Sequence, residues 1–200
     1  MTKKYEFTGM TKDFLGITLK QIRALVTISG VVTAGDVGGW VESESNLSQV
    51  SGNAWVYGNA KVYGNAKVYG DAWVSGDALV YGNALVYGNA LVYGDALVYG
   101  NAKVYGNAKV YGDAWVSGDA LVYGDSSLFW ASKVGTENGT LTVFNSQDGT
   151  LTVTRGCFIG SVDDFLDKSK RIHDEKTHRE YCLLVEVAKS RIVCLDGENK

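Results

Sequence analysis

Two histidines and three cysteines are the side chains best suited here to proton transfer, nucleophilic attack or metal binding, and their placing limits all three. His173 and His178 stand five residues apart in RIHDEKTHREY. Two helical metal ligands belong three or four apart, where they share a face. Cys157, Cys182 and Cys194 make no CxxC and no Cys/His zinc spacing, so reduced thiols are expected. No GxGxxG or GxxxxGKS/T phosphate loop occurs, and the many Gly-Asn and Gly-Asp pairs read as turns. The expectation is a non-catalytic protein with no cofactor and no metal. Binding chemistry is better represented. Arg155, Arg171, His173 and Arg179 are a candidate cationic cluster for an anionic ligand. Aromatic side chains recur through the middle of the chain and could stack on a ring or pack against another subunit.

These residues need elements to position them. The 200 residues are 46% hydrophobic and 20% charged, which describes a globular chain of one domain or two small ones. A net charge of −3 is too small for a protein that coats a duplex or mimics one, so nucleic acid is not an expected partner. No apolar run has the length of a signal peptide or a membrane span, so a cytoplasmic protein is expected. There are 25 glycines and no proline, which suits glycine-punctuated strands.

The stretch NAKVYGNAKVYGDAWVSGDALVYG fills residues 59–82 and recurs letter for letter at 101–124. Beneath it lies a period of six. Valine falls at 50, 56, 62 and every sixth position to 122, with alanine two residues before each from Val56 onward. Leu128 and Val134 continue the valine column, and Ser48, Ser126 and Ser132 the alanine column. Six residues of α-helix advance about 600°, so this period marks no helical face. Ala-x-Val-x alternates as a short strand does, and Gly-Asn or Gly-Asp then turns the chain.

This pattern resembles the hexapeptide-repeat left-handed β-helix over roughly residues 40–135. The resemblance implies three hexads per coil, about five coils, and Val and Ala filling a narrow core. The fold class expected is an all-β solenoid, a left-handed parallel β-helix, with a small C-terminal α+β module of ββαα order. Spans of 1–46 for a strand-rich cap, 47–136 for the solenoid and 137–200 for the C-terminal module follow. Acyltransferases of the hexapeptide class use a histidine base between subunits, and related carbonic anhydrases hold zinc through histidines. Both histidines here lie outside the repeat. An acyltransferase-like enzyme is therefore the alternative reading, with its base drawn from the C-terminal helices, and a purely structural solenoid is a further one.

An 18-residue coil gives three outward faces. The first carries Trp55, Trp73, Leu91 and Lys109 beside Tyr57, Ser75, Tyr93 and Tyr111. With Lys109 its only charge, this face is the expected ligand or oligomer surface, through Trp55, Tyr57, Trp73, Leu91, Tyr93 and Tyr111. Leucines at 79, 85, 91 and 97 add apolar surface on every face. A homo-oligomer is expected, and the fold resemblance implies a trimer. The two 24-residue copies start 42 positions apart, which is seven hexads. Seven is no multiple of three, so the second copy must be turned by one face.

At the ends, KYEFTG and ITLKQIRALVTI read as strands, and Trp40 is expected to seal the core. TLTVF and TLTVT flank the turn NSQDG as a hairpin. SVDDFLDKSKRI reads as a helix capped by Ser161, and a second helix runs from about Glu175 to Lys189. KYEFTG, LKQIRAL, AGDVGGWVESESNLS, the YGNA/YGDA hexads and the RGCFIGSVDDF…Y module together resemble uncharacterised phage and prophage proteins. That resemblance implies the cytoplasm of an infected or lysogenic bacterial host. It also implies a counter-defence role, by sequestering a small molecule such as a nucleotide signal or by binding a host protein.

Overall fold

The computed structural model describes residues 3–50 and 52–193; Cys194 lies outside the described residues. The chain forms a β-solenoid of about five turns, closed at one end by an N-terminal hairpin and at the other by a sheet-and-helix module. Two long antiparallel strands come first, β1 (Tyr5–Phe14) and β2 (Ile17–Ala24), then β3 (Val37–Val41). Twelve two-residue strands follow, one per hexad, from β4 (Trp55–Val56) to β15 (Leu121–Val122).

The first solenoid face is β4, β7 (Trp73–Val74), β10 (Leu91–Val92) and β13 (Lys109–Val110), all parallel. The second is β3, β5 (Lys61–Val62), β8 (Leu79–Val80), β11 (Leu97–Val98) and β14 (Trp115–Val116), extended outward by β2 and β1. The third is β6 (Lys67–Val68), β9 (Leu85–Val86), β12 (Lys103–Val104) and β15. Trp73 lies on the first face and its duplicate Trp115 on the second, so the copies are indeed turned by one face.

Every alanine from Ala54 to Ala120 and every valine from Val56 to Val122 in the repeat columns is at most 1% exposed. Burying each valine stabilises the fold by roughly 1.5–3 kcal/mol, before the entropy of ordering the chain is counted. The valine column begins at Val56. Val50 is 70% exposed, and Leu47 takes its place opposite Val68, because the 3-10 turn Glu44–Asn46 shifts the register by three residues. Leu128 continues the column by one more residue in the same core, while Val134 packs in a separate core. Ser126 and Ser132 are exposed, and Leu128 opens a strand of the C-terminal sheet.

Main-chain hydrogen bonds join each coil to the next. The N–H of Trp73 donates to the Ala90 carbonyl at 2.9 Å, and that of Ser75 to Val92 at 2.9 Å. Each end coil is left with an open sheet edge whose main-chain groups the terminal segments must meet. At the first end the Lys4 ammonium donates to the Ala54 carbonyl at 2.8 Å. Burial pulls the Lys4 pKa down to about 8, against the pull of Asp71. A folded pKa below the unfolded one means that its charge costs stability, a cost relieved as pH rises through about 8 to about 10.5. At the last end Thr142 Oγ1 accepts from the Trp115 N–H at 3.0 Å, and Thr154 Oγ1 donates to the Trp115 carbonyl at 2.8 Å.

The turn asparagines also do structural work. Asn65 donates to Asn83, Asn83 to Asn101 and Asn101 to Asp119, at 3.0, 3.1 and 3.0 Å. Outside, tyrosines stack. Ring centroids of Tyr63, Tyr81 and Tyr99 are 5.0 and 4.9 Å apart with interplanar angles of 1° and 2°. Tyr69, Tyr87 and Tyr105 repeat this on the third face. The leucines at 79, 85, 91 and 97 are half-buried, less open than expected.

Burial pushes the Tyr81 hydroxyl up to about 12, helped by Tyr99 and Tyr63, and raises Tyr63, Tyr69, Tyr87 and Tyr105 as well. A folded pKa above the unfolded value of about 10 gives stability that is complete below pH 10 and lost as pH climbs towards about 12. Tyrosinate absorbance of the folded protein should therefore rise later than that of the denatured chain, with loss of strand signal between about pH 10 and 12. A single titration centred at the free-tyrosine value with the fold intact would contradict this.

Trp40 does not seal the core. It sits at an outward position of β3, with the Lys12 ammonium 4.0 Å from its ring centroid. Tyr5, Ile22 and Trp55 fill that role.

The C-terminal sheet has four antiparallel strands where the sequence showed a hairpin: β16 (Leu128–Val134), β17 (Gly139–Asn145), β18 (Leu151–Arg155) and β19 (Phe158–Ser161). It begins inside the span expected to be solenoid. Helices α1 (Val162–Ile172) and α2 (Glu175–Arg191) follow. Ser161 caps α1 through the Asp164 N–H, as its sequence predicts. Phe165, Tyr181, Val185 and Ala188 pack on Leu141, Val143 and Val153 as a second core.

Candidate functional site

The first face does not survive as a continuous ligand surface. Trp55 is fully buried. Its ring lies edge-on to Tyr5 at 6.4 Å, and a Cβ on Gly38 would sit 2.7 Å from the indole. The hairpin and the side-chain-free Gly38 together cover it, so it is part of the cap. Tyr57 is exposed, but Ser75 interrupts the stack between it and Tyr93. Trp73 and Leu91 are half-buried along the sheet.

What remains of the face converges at its far end. There a groove of about 650 Å³ is lined by Tyr93, Lys109, Tyr111, Asp125, Phe129, Trp130 and Arg191 with their neighbours. That volume is within the range of ordinary ligand pockets. Tyr93 and Tyr111 stack at 5.0 Å and 2°, and Trp130 stands edge-on to Tyr111 at 4.3 Å and 81°. The solenoid supplies the tyrosines, β16 supplies Trp130, and the last turn of α2 supplies Arg191. Lys109 is 3.6 Å from Asp125 in an exposed pair worth at most about 1 kcal/mol, so its charge can be redirected to a ligand.

The groove also opens on an unfinished sheet edge. In the coil below, Leu91 and Tyr93 donate their N–H groups to Ala108 and Val110. Those of Lys109 and Tyr111 meet no acceptor among the described residues. The Ser126 carbonyl, one coil period beyond Ala108, accepts from Val193 instead, at 2.9 Å. Ring faces, two cationic side chains and two main-chain donors together suit a planar molecule carrying an anionic group.

The cationic cluster is divided. Arg155 and His173 line one cavity on either side of Tyr181. Arg171 and Arg179 are exposed and do not line it, because they sit on the outer sides of their helices. His178 faces Ser169 through Nδ1 at 3.2 Å, and the Cys182 sulfur lies 3.6 Å from its Nε2. Sequence reasoning missed Trp130, Asp125 and Arg191 in the groove and Lys168 in the cavity. Trp130 had a signal, since it follows the point at which the hexads lose their Gly-Asn turn.

Comparison with known families adds the fold and stops there. The model of the YdcK beta solenoid repeat matches residues 60–76, 72–88, 78–94 and 102–118. The chain is similar to that repeat family. The matched stretches hold Tyr93, Lys109 and Tyr111, and none of the C-terminal residues of the groove or the cavity. No curated protein matches the chain. No helix among the described residues is long and apolar enough to cross a membrane.

Proposed function

We propose that this YdcK-like solenoid is a non-catalytic binding protein that holds a small planar anion, of the nucleotide class, in the groove at the end of its first face. The observation that carries this reading is the meeting of Tyr111 and Trp130 with Lys109, Arg191 and two unpaired main-chain N–H groups. A base stacked on an aromatic side chain contributes roughly 1–3 kcal/mol, and a charge-assisted hydrogen bond to phosphate is of similar size. The solenoid acts as a rigid platform, and the C-terminal module closes one wall. The terminal segments that resemble phage and prophage proteins support a role inside an infected host, where a signal nucleotide is withdrawn from use. A homo-oligomer is part of the proposal, supported by exposed Tyr57, Tyr123, Leu183 and Val187.

Titration with purine nucleotides, followed by calorimetry and by the tryptophan fluorescence change lost in Trp130→Phe, tests the groove. Tyr111→Ala should weaken binding about tenfold or more, and Lys109→Ala should weaken it and flatten its salt dependence. A nucleoside lacking phosphate should bind far less tightly. Variants that bind as the wild type does would remove the groove from consideration. Capture of a host protein at the same residues, with no nucleotide affinity, would move the function to protein binding.

A further inference from the structure

A second cavity, away from the solenoid, lies between the turn joining β18 to β19 and the two helices. It holds about 210 Å³ and is walled by Phe158, Phe165, Ile172 and Tyr181, with Arg155, Lys168, His173 and Glu137 at its polar side. Arg155 is the unusual member. Its side chain is only 11% exposed, yet among the described residues it has no close buried counter-ion. Nε donates to the Tyr181 hydroxyl at 3.2 Å and Nη2 to the Val134 carbonyl at 3.1 Å, both neutral acceptors. The nearest carboxylate, Glu137, is 3.9 Å from Nη1 and 84% exposed. A guanidinium withdrawn from water without a matched anion is costly, and an anion that reaches it recovers that cost.

The turn between β16 and β17 is shaped around this arginine. A Cβ on Gly139 would fall 2.3 Å from Nη1, and one on Gly135 would fall 2.0 Å from the Tyr181 hydroxyl. The Lys168 ammonium lies 5.3 Å from the Phe158 ring centroid, and the His173 ring 5.6 Å from that of Tyr181. Arg155 and Lys168 thus border a small pocket together with the exposed Glu137, and its remaining walls are largely aromatic and aliphatic.

We infer that this cavity binds a small carboxylic acid with an apolar, single-ring-sized body, its carboxylate directed at Arg155 and Lys168 and its body against Phe158, Phe165 and Ile172. The site is separate from the groove and stands whether or not the groove binds a nucleotide. The volume is too small for a nucleotide and suits a molecule the size of benzoate.

Cys157 lines the same cavity and reports on it. The test is the rate of Cys157 alkylation by iodoacetamide, read by peptide mass mapping, with Cys182 as the internal reference. Benzoate should slow Cys157 saturably and leave Cys182 unchanged, and inorganic phosphate should protect far less. Lys168→Gln, on an exposed helix position, should raise the half-protecting benzoate concentration about tenfold. Arg155→Met should abolish protection if its fold, checked by circular dichroism, is retained. No protection by benzoate in the wild type overturns the inference. So does equal protection by phosphate, or protection unchanged in Lys168→Gln.

Discussion

Trp55→Ala should destabilise the protein by about 3–5 kcal/mol, a large part of the stability of a domain this size. Trp55 is among the largest fully buried side chains and joins the hairpin to the first coil through Tyr5, Ile22 and Gly38. Its removal leaves a cavity lined by strands that cannot collapse, because each is held in register by the coil above. The loss should be local, since solenoid coils contact only their neighbours. Hydrogen exchange should accelerate first in residues 5–24 and 37–62, with the middle coils still protected. Trp55→Phe separates packing from polarity. The indole N–H is buried with no acceptor among the described residues, so phenylalanine discards an unsatisfied donor along with part of the ring. Its cost should be under about 1.5 kcal/mol. Equal and small losses in both variants would show that Trp55 is no keystone of the cap.

Gly100→Ala should cost roughly 2–4 kcal/mol, from left-handed backbone strain and a main-chain clash together. Gly100 has φ +72°, and an added Cβ would lie 2.8 Å from the Gly118 nitrogen and 3.2 Å from its oxygen. Those atoms belong to the next coil and cannot turn aside as a side chain could. Gly124 is the control. Its φ of −171° is ordinary extended backbone, and nothing stands within 4 Å of an added Cβ. Gly124→Ala should fall within about 0.5 kcal/mol of the wild type in chemical denaturation. If Gly100→Ala proved as mild, the coils would have to be looser than their close turn-to-turn approach indicates.

The interior was legible because every repeat valine and alanine answers to a period that a strand-and-turn coil must obey. Both helices and the Ser161 cap were legible for the same reason, since their signals are local. Trp55 was not. It occupies an outward column of the repeat, and what covers it is a hairpin that arrives from some fifty residues earlier in the chain. Val50 misled in the same way, because a single 3-10 turn moved the register and put Leu47 in its place. Tyr93, Lys109 and Tyr111 were readable from the 18-residue face spacing. Trp130 and Arg191 join them only because β16 leaves the solenoid and α2 ends beside it, which no periodicity encodes. Arg155 and His173 meet through Tyr181, while Arg171 and Arg179 point away; proximity in sequence did not decide which cations converge.

The most direct test of the groove is native mass spectrometry of gently purified wild type beside the Lys109→Ala/Tyr111→Ala double variant, each after incubation with a mixed nucleotide pool. The account predicts a discrete wild-type oligomer carrying excess mass of one small anionic molecule per subunit, shed on denaturation and absent from the variant. Wild type that carries no excess mass, or a variant that carries the same one, would contradict it.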